Sequence, residues 1–245
     1  MKNLLRADLR RLFHNIFYVS CCILAFLITW YYTRNGAQFG IQYNANANQY
    51  MVFVSAGVLA FFSIFPALFQ STEYGDGVIK NKIAVGHKQT SIYLSQFITI
   101  CVAAFIMVLC WLGGGLLAGA QMDRGLLKYT CVLFFYSMAY VSVMTCICMR
   151  ITKMAIAIGL QIMIFQFSFN AALILNGVFA MTEGSIAKAA QVMLNFIPMG
   201  QWISNTSLVD DTVTLGLFPQ TALSFIVVAV FFGMGMFRLN KREIK

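Results

Sequence analysis

Apolar residues fall into six long blocks, at about 15–32, 50–69, 92–118, 129–149, 154–179 and 217–237. A helix rises about 1.5 Å per residue, so each block is long enough to cross a hydrocarbon core about 30 Å thick. Six crossings leave both termini on one side. Three segments outside the blocks have patterns of their own. Residues 1–14 put Leu5, Leu9, Leu12 and Phe13 on one helical face and Lys2, Arg6 and Arg10 in a basic row. That pattern predicts an amphipathic helix lying in the membrane interface. Residues 70–91 are too polar for lipid. There Gly75 and Gly77 break the chain, residues 78–85 suit two turns of surface helix, and Gly86 sits just past its end. Residues 180–216 hold Ile186, Ala189, Ala190, Met193, Leu194 and Ile197 on one face, a second amphipathic helix that Pro198 stops. The expected fold is an all-α polytopic membrane protein with six transmembrane helices, one domain over residues 1–245. Its accessories are an N-terminal interfacial helix, a short cytoplasmic helix between spans two and three, and an outer helix between spans five and six.

Composition excludes the main alternatives. Of the 245 residues 60% are hydrophobic and 10% charged, where a soluble domain carries roughly 25% charge. A water-soluble globule is therefore excluded, and so is intrinsic disorder, which needs low hydrophobicity. The net charge of +9 sits in short clusters between apolar blocks, not on a basic face interleaved with aromatics. Nucleic acid is not an expected partner. Thirteen of the 17 Lys and Arg fall on the side of the termini: Lys2, Arg6, Arg10, Arg11, Lys80, Lys82, Lys88, Arg150, Lys153, Arg238, Lys241, Arg242 and Lys245. Arg34, Arg124, Lys128 and Lys188 fall opposite, and the eight acids divide equally. By the positive-inside rule both termini are cytoplasmic in a cell membrane. Trp30, Tyr31, Tyr32, Tyr50, Tyr129 and Trp202 lie near the outer boundary, where an aromatic belt is expected. The seven cysteines lie in apolar blocks without zinc spacing and read as buried thiols.

Catalytic chemistry is missing. The chain has no Walker loop, zinc-protease motif or G-x-S-x-G elbow. His14 and His87 lack partners at useful spacing, and the Asp210–Asp211 pair reads as solvated. The expectation is a non-enzyme with no cofactor or metal of its own. The blocks do contain polar residues: Gln161, Gln166, Ser168, Asn170 and Asn176 in the fifth, Ser55 and Ser63 in the second. Gln166 and Asn170, four apart, share a helical face. Amides facing lipid go unsatisfied, so these should meet a neighbouring helix or a polar path. Pro66 predicts a kink in the second span. Gly113, Gly114, Gly115 and Gly119 predict either a close helix approach or a break in the third.

The run Glu73-Tyr74-x-x-Gly77-Val78-Ile79-Lys80-Asn81-Lys82-Ile83-Ala84-x-Gly86-His87-Lys88-Gln89-x-x-Ile92-Tyr93-Leu94-Ser95 resembles the inner loop of type-two ABC transporter permeases. These are six-span subunits of ABC exporters that work with a separate ATPase. The N-terminal helix and the six spans are similar too, so the likeness covers essentially the whole chain. It implies that Glu73, Gly77, Val78, Ile79, Lys80, Asn81, Lys82, Ile83 and Gly86 belong to a coupling helix. That helix would fit a cleft on ABC ATPase subunits, which would bind the ATP and Mg. The likeness also implies a second permease subunit, identical or related. A substrate path or subunit interface would then involve Gln161, Gln166, Asn170, Asn176, Ser55 and Ser63. The implied cargo is hydrophobic or amphipathic, such as a peptide or drug, moved outward; antimicrobial-peptide immunity exporters include permeases of this size. Many relatives carry Arg near His87-Lys88-Gln89, so a different basic contact is implied here. Two further readings stand beside this one. A membrane-embedded enzyme acting on lipid or peptide would need a reactive cluster that the sequence lacks. A membrane immunity or assembly protein would bind its target without transporting it.

Overall fold

The computed structural model describes residues 2–39, 47–151, 153–206 and 215–237, and every regular element among them is helical. In order these are α1 (Lys2–Phe13), α2 (Ile16–Asn35), a 3₁₀ turn (Gly36–Phe39), α3 (Ala47–Val54), α4 (Ala56–Phe62), α5 (Phe65–Gly75) and α6 (Val78–Ala84). There follow α7 (Gln89–Leu117), α8 (Arg124–Cys148), α9 (Met154–Met181), α10 (Gly184–Phe196), α11 (Pro198–Thr206) and α12 (Leu217–Met236). Among the described residues, six segments are long and apolar enough to cross a membrane, the second being the run α3–α5 over Ala47–Gly75. Asp210, Asp211, Arg238, Lys241, Arg242 and Lys245 lie outside the described residues.

Local chemistry sets the joints. Asn15 separates α1 from α2 by accepting from the backbone N–H of Tyr18 at 3.0 Å, and Asp123 caps α8 by accepting from that of Leu126 at 2.6 Å. Span two bends twice. At Ser55 the hydroxyl leaves the helix pattern to donate to the carbonyl of Val52 at 2.6 Å, and it also meets the hydroxyl of Tyr129 at 2.5 Å. The second bend, at Ser63 and Ile64, comes just before Pro66, which sits in the first turn of α5 where its missing N–H leaves no bond unmade. In α7 the glycines produce an approach and not a break. The helix runs through Gly113, Gly114 and Gly115, and a Cβ at Gly114 would collide with the backbone of Phe26 in α2.

The core gathers around α8, which packs against α4, α5, α7 and α12. In the apolar 18-residue stretch of α8 67% of the residues are buried, against 11% in that of α9, so α8 is the axis and α9 lies at the edge. Trp111 from α7 closes the centre, donating its indole N–H to the carbonyl of Met51 at 2.9 Å. Two sequence expectations change here. Tyr50, Tyr129 and Trp202 are buried rather than ringed by lipid, because each meets helices packed beside it; the indole of Trp202 donates to the carbonyl of Val52 at 3.3 Å. In α1 the inward row is Leu4, Asp8 and Leu12, while Phe13 is exposed, because Asp8 finds a cation inside.

The segment between spans five and six is two helices. Pro198 ends α10 and also begins α11, a role its fixed φ suits. Ala190 and Leu194 of the expected α10 face pack inward, whereas Ile186 and Met193 remain exposed. A buried polar network joins both helices to α12. The amide of Gln201 donates to the carbonyl of Asn195 at 2.7 Å and to the hydroxyl of Ser224 at 3.1 Å. Gln220 and Ser204 both donate to the side-chain oxygen of Asn195, at 2.8 and 3.1 Å. Pairing of this kind lets five polar side chains share one buried site.

Candidate functional site

Among the described residues, the strongest concentration of buried charge lies where α1, α5, α6 and α7 meet. Glu73 sits on the last turn of α5 with its side chain 2% exposed. Its carboxylate accepts from the guanidinium of Arg11, from Lys82 Nζ at 2.9 Å to each oxygen, and from Gln96 Nε2 at 2.6 Å. Asp8 is equally buried. It accepts from Lys82 Nζ at 2.8 Å and from the hydroxyl of Ser95 at 2.6 Å. Arg11 also donates to the carbonyl of Phe69, and its guanidinium lies 4.0 Å over the Phe69 ring. Two carboxylates and two cations balance. Buried ions need this degree of pairing, since desolvation otherwise exceeds their mutual attraction.

Lys82 makes α6 part of this cluster, and two glycines shape the helix ends. Gly77 at φ +68° and Gly86 at φ +94° occupy the left-handed region that residues with a side chain avoid. Between them α6 has two faces. Ile79 is buried and Lys82 nearly so, while Val78, Ile83 and Gly77 are half-buried. Lys80, Asn81, Ala84, Val85 and Gly86 are exposed, Val85 to 79%. Of the expected coupling residues, then, Glu73, Ile79 and Lys82 face into the bundle.

The expected path residues do not converge on one site. Gln161 is buried and donates to the carbonyl of Met144 at 3.0 Å and to Cys148 Sγ at 2.7 Å, which makes it a bridge from α9 to α8. Ser55 and Ser63 spend their hydroxyls at the bends of span two. Asn176 is half-buried. Gln166 and Asn170 instead share the open face of α9 with Met163, Phe167 and Ile174, which are 69%, 77% and 67% exposed. Asn170 donates back to the carbonyl of Gln166 at 2.9 Å. An apolar groove between α2, α4 and α7 is lined by Leu24, Ile28, Gly57, Phe61 and Met107. The hydroxyl of Thr29 there is spent on the carbonyl of Ala25, so the groove has little with which to orient a polar ligand.

Sequence reasoning gave no site role to Asp8, Arg11, Ser95 or Gln96, although Ser95 closes the run that carries the resemblance. A signal existed for Asp8. It is the single acid among the four cations of residues 1–14 and falls midway along the Leu4–Leu12 row. Arg11 carries no such mark, since its partner Glu73 is 62 residues away. In comparisons with known proteins, no family model and no curated sequence matches the chain.

Proposed function

We propose that this chain is the permease subunit of an ABC exporter, with α6 as the coupling helix for a separate ATPase. The observation that carries the reading is the division of α6 into a locked face and an open one. Ile79 and Lys82 hold the helix to the bundle, leaving Lys80, Asn81, Ala84 and Val85 outward with an apolar tip. A rigid projection with an apolar tip suits a cleft on a partner, because little side-chain and loop freedom is lost on docking. Displacement of α6 would carry α1 and the end of α5 with it through Lys82, and α5 leads to the bends of span two. In this reading Glu73, Ile79 and Lys82 are positioning residues. Gly77 and Gly86 set the helix ends, with Val78 and Ile83 on the flanks.

The positive-inside distribution of Lys and Arg supports a cytoplasmic side for α1, α6 and both termini, and the basic row of α1 supports a place for it along the inner interface. The open face of α9 favours a second permease subunit, because Gln166 and Asn170 would otherwise face lipid. Cargo of hydrophobic or amphipathic character would pass near that face, driven by ATP hydrolysed in the partner. The test is the pair Ala84→Asp and Val85→Asp in one chain. Both sites are exposed, so the thermal midpoint should hold while co-purifying ATPase and cargo-stimulated hydrolysis fall about tenfold, the loss of about 1.4 kcal/mol of contact. Unchanged coupling would overturn the assignment.

A further inference from the structure

We propose that the outward row of α1 is a binding surface for the headgroups of anionic lipids. Lys2, Arg6 and Arg10 recur every four residues, are all exposed, and span about 12 Å of helix. None of the three meets a carboxylate among the described residues. The one acid of the helix, Asp8, points the other way and is committed to Lys82 and Ser95. The row therefore presents positive charge with no internal counter-ion. It is also held still. Leu4 and Leu12 are buried on the opposite side, and Asp8 is bonded to α6 and α7, so the helix cannot roll its cations away.

The neighbouring surface identifies the partner. At the elbow between α1 and α2, Phe13, Ile16 and Phe17 are 53%, 82% and 48% exposed. Cations next to an exposed apolar corner match a phosphodiester headgroup above its acyl chain. An acidic protein would meet the charges but make no use of the apolar corner, which continues directly into the candidate span α2. The site does not depend on a partner ATPase. It does connect the membrane to α6, because the helix that would carry the headgroups on one row holds Lys82 on the other.

The test uses the full chain in vesicles of phosphatidylcholine and phosphatidylglycerol, with spin-labelled forms of each reporting the lipid immobilised on the protein. The wild-type chain should prefer phosphatidylglycerol, with a contribution of about fivefold at most from each cation. The preference should collapse in K2Q/R6Q/R10Q and in high salt, which screens exposed charges. It should survive in R6K/R10K, and also in K88Q/K153Q, which removes cations on the same side outside α1. Circular dichroism on each variant keeps misfolding from passing as lost binding. An undiminished preference in the triple variant, or an equal loss in K88Q/K153Q, overturns the proposal. So does a triple variant that keeps its lipid but loses a bound protein.

Discussion

Lys82→Ala is expected to destabilise the folded chain by about 3–5 kcal/mol, because it strips one partner from a buried ion cluster and strands the rest. Lys82 Nζ is the cation that touches both carboxylates, at 2.8 Å from Asp8 and 2.9 Å from Glu73. Without it Glu73 keeps Arg11 and Gln96, but among the described residues Asp8 keeps only the hydroxyl of Ser95. The lysine side chain is 12% exposed, so water can replace little of what is lost. Asp8→Leu combined with Lys82→Met should behave differently. That pair removes opposite charges together and leaves Arg11 on Glu73, a replacement that is commonly close to neutral. Chemical unfolding of both single variants and the double variant measures the coupling. Single losses that simply add in the double variant would mean that Asp8 and Lys82 stand apart.

The six apolar blocks were legible because lipid imposes a long one-dimensional pattern that any reader of hydropathy meets. The charged junction was not, and Glu73 explains why. Local pattern places it in a polar loop, since a carboxylate ends an apolar block. Yet α5 continues through Gly75, and Glu73 is buried, because Arg11, Lys82 and Gln96 reach it from three other helices. Hydropathy registers the cost of burying a charge but not the distant partners that offset it. Tyr129 misleads for the same reason. Near a membrane boundary it reads as a belt residue, while its hydroxyl meets Ser55 at 2.5 Å and Tyr136 at 2.9 Å inside the bundle. Gln161 and Gln166 show the limit of residue type alone. Five positions apart on one helix, one joins α8 and the other faces outward.

Gln70→Leu is expected to stabilise the protein by about 2 kcal/mol, although it replaces a polar residue one turn from the charged Glu73 cluster. Gln70 is fully buried, and neither its amide nitrogen nor its oxygen has a hydrogen-bond partner among the described residues. A helix turns about 100° per residue, so Gln70 projects between Glu73 and Tyr74. The first faces α7 through Gln96, and the second donates its hydroxyl to the carbonyl of Met149 at 3.3 Å, at the end of α8. The amide thus points into the packed centre, where each unmet donor or acceptor costs about 1–3 kcal/mol. Leucine fills similar space with no such demand. Gln70→Ala removes the same demand but opens a cavity, and large-to-small changes in a core cost about 2–5 kcal/mol, so its sign should be negative. The two thermal midpoints together separate polarity from packing. A loss in both variants would mean that the glutamine amide is hydrogen-bonded in the folded protein. Opposite signs would mean that the end of α5 carries a polar group its present packing does not use.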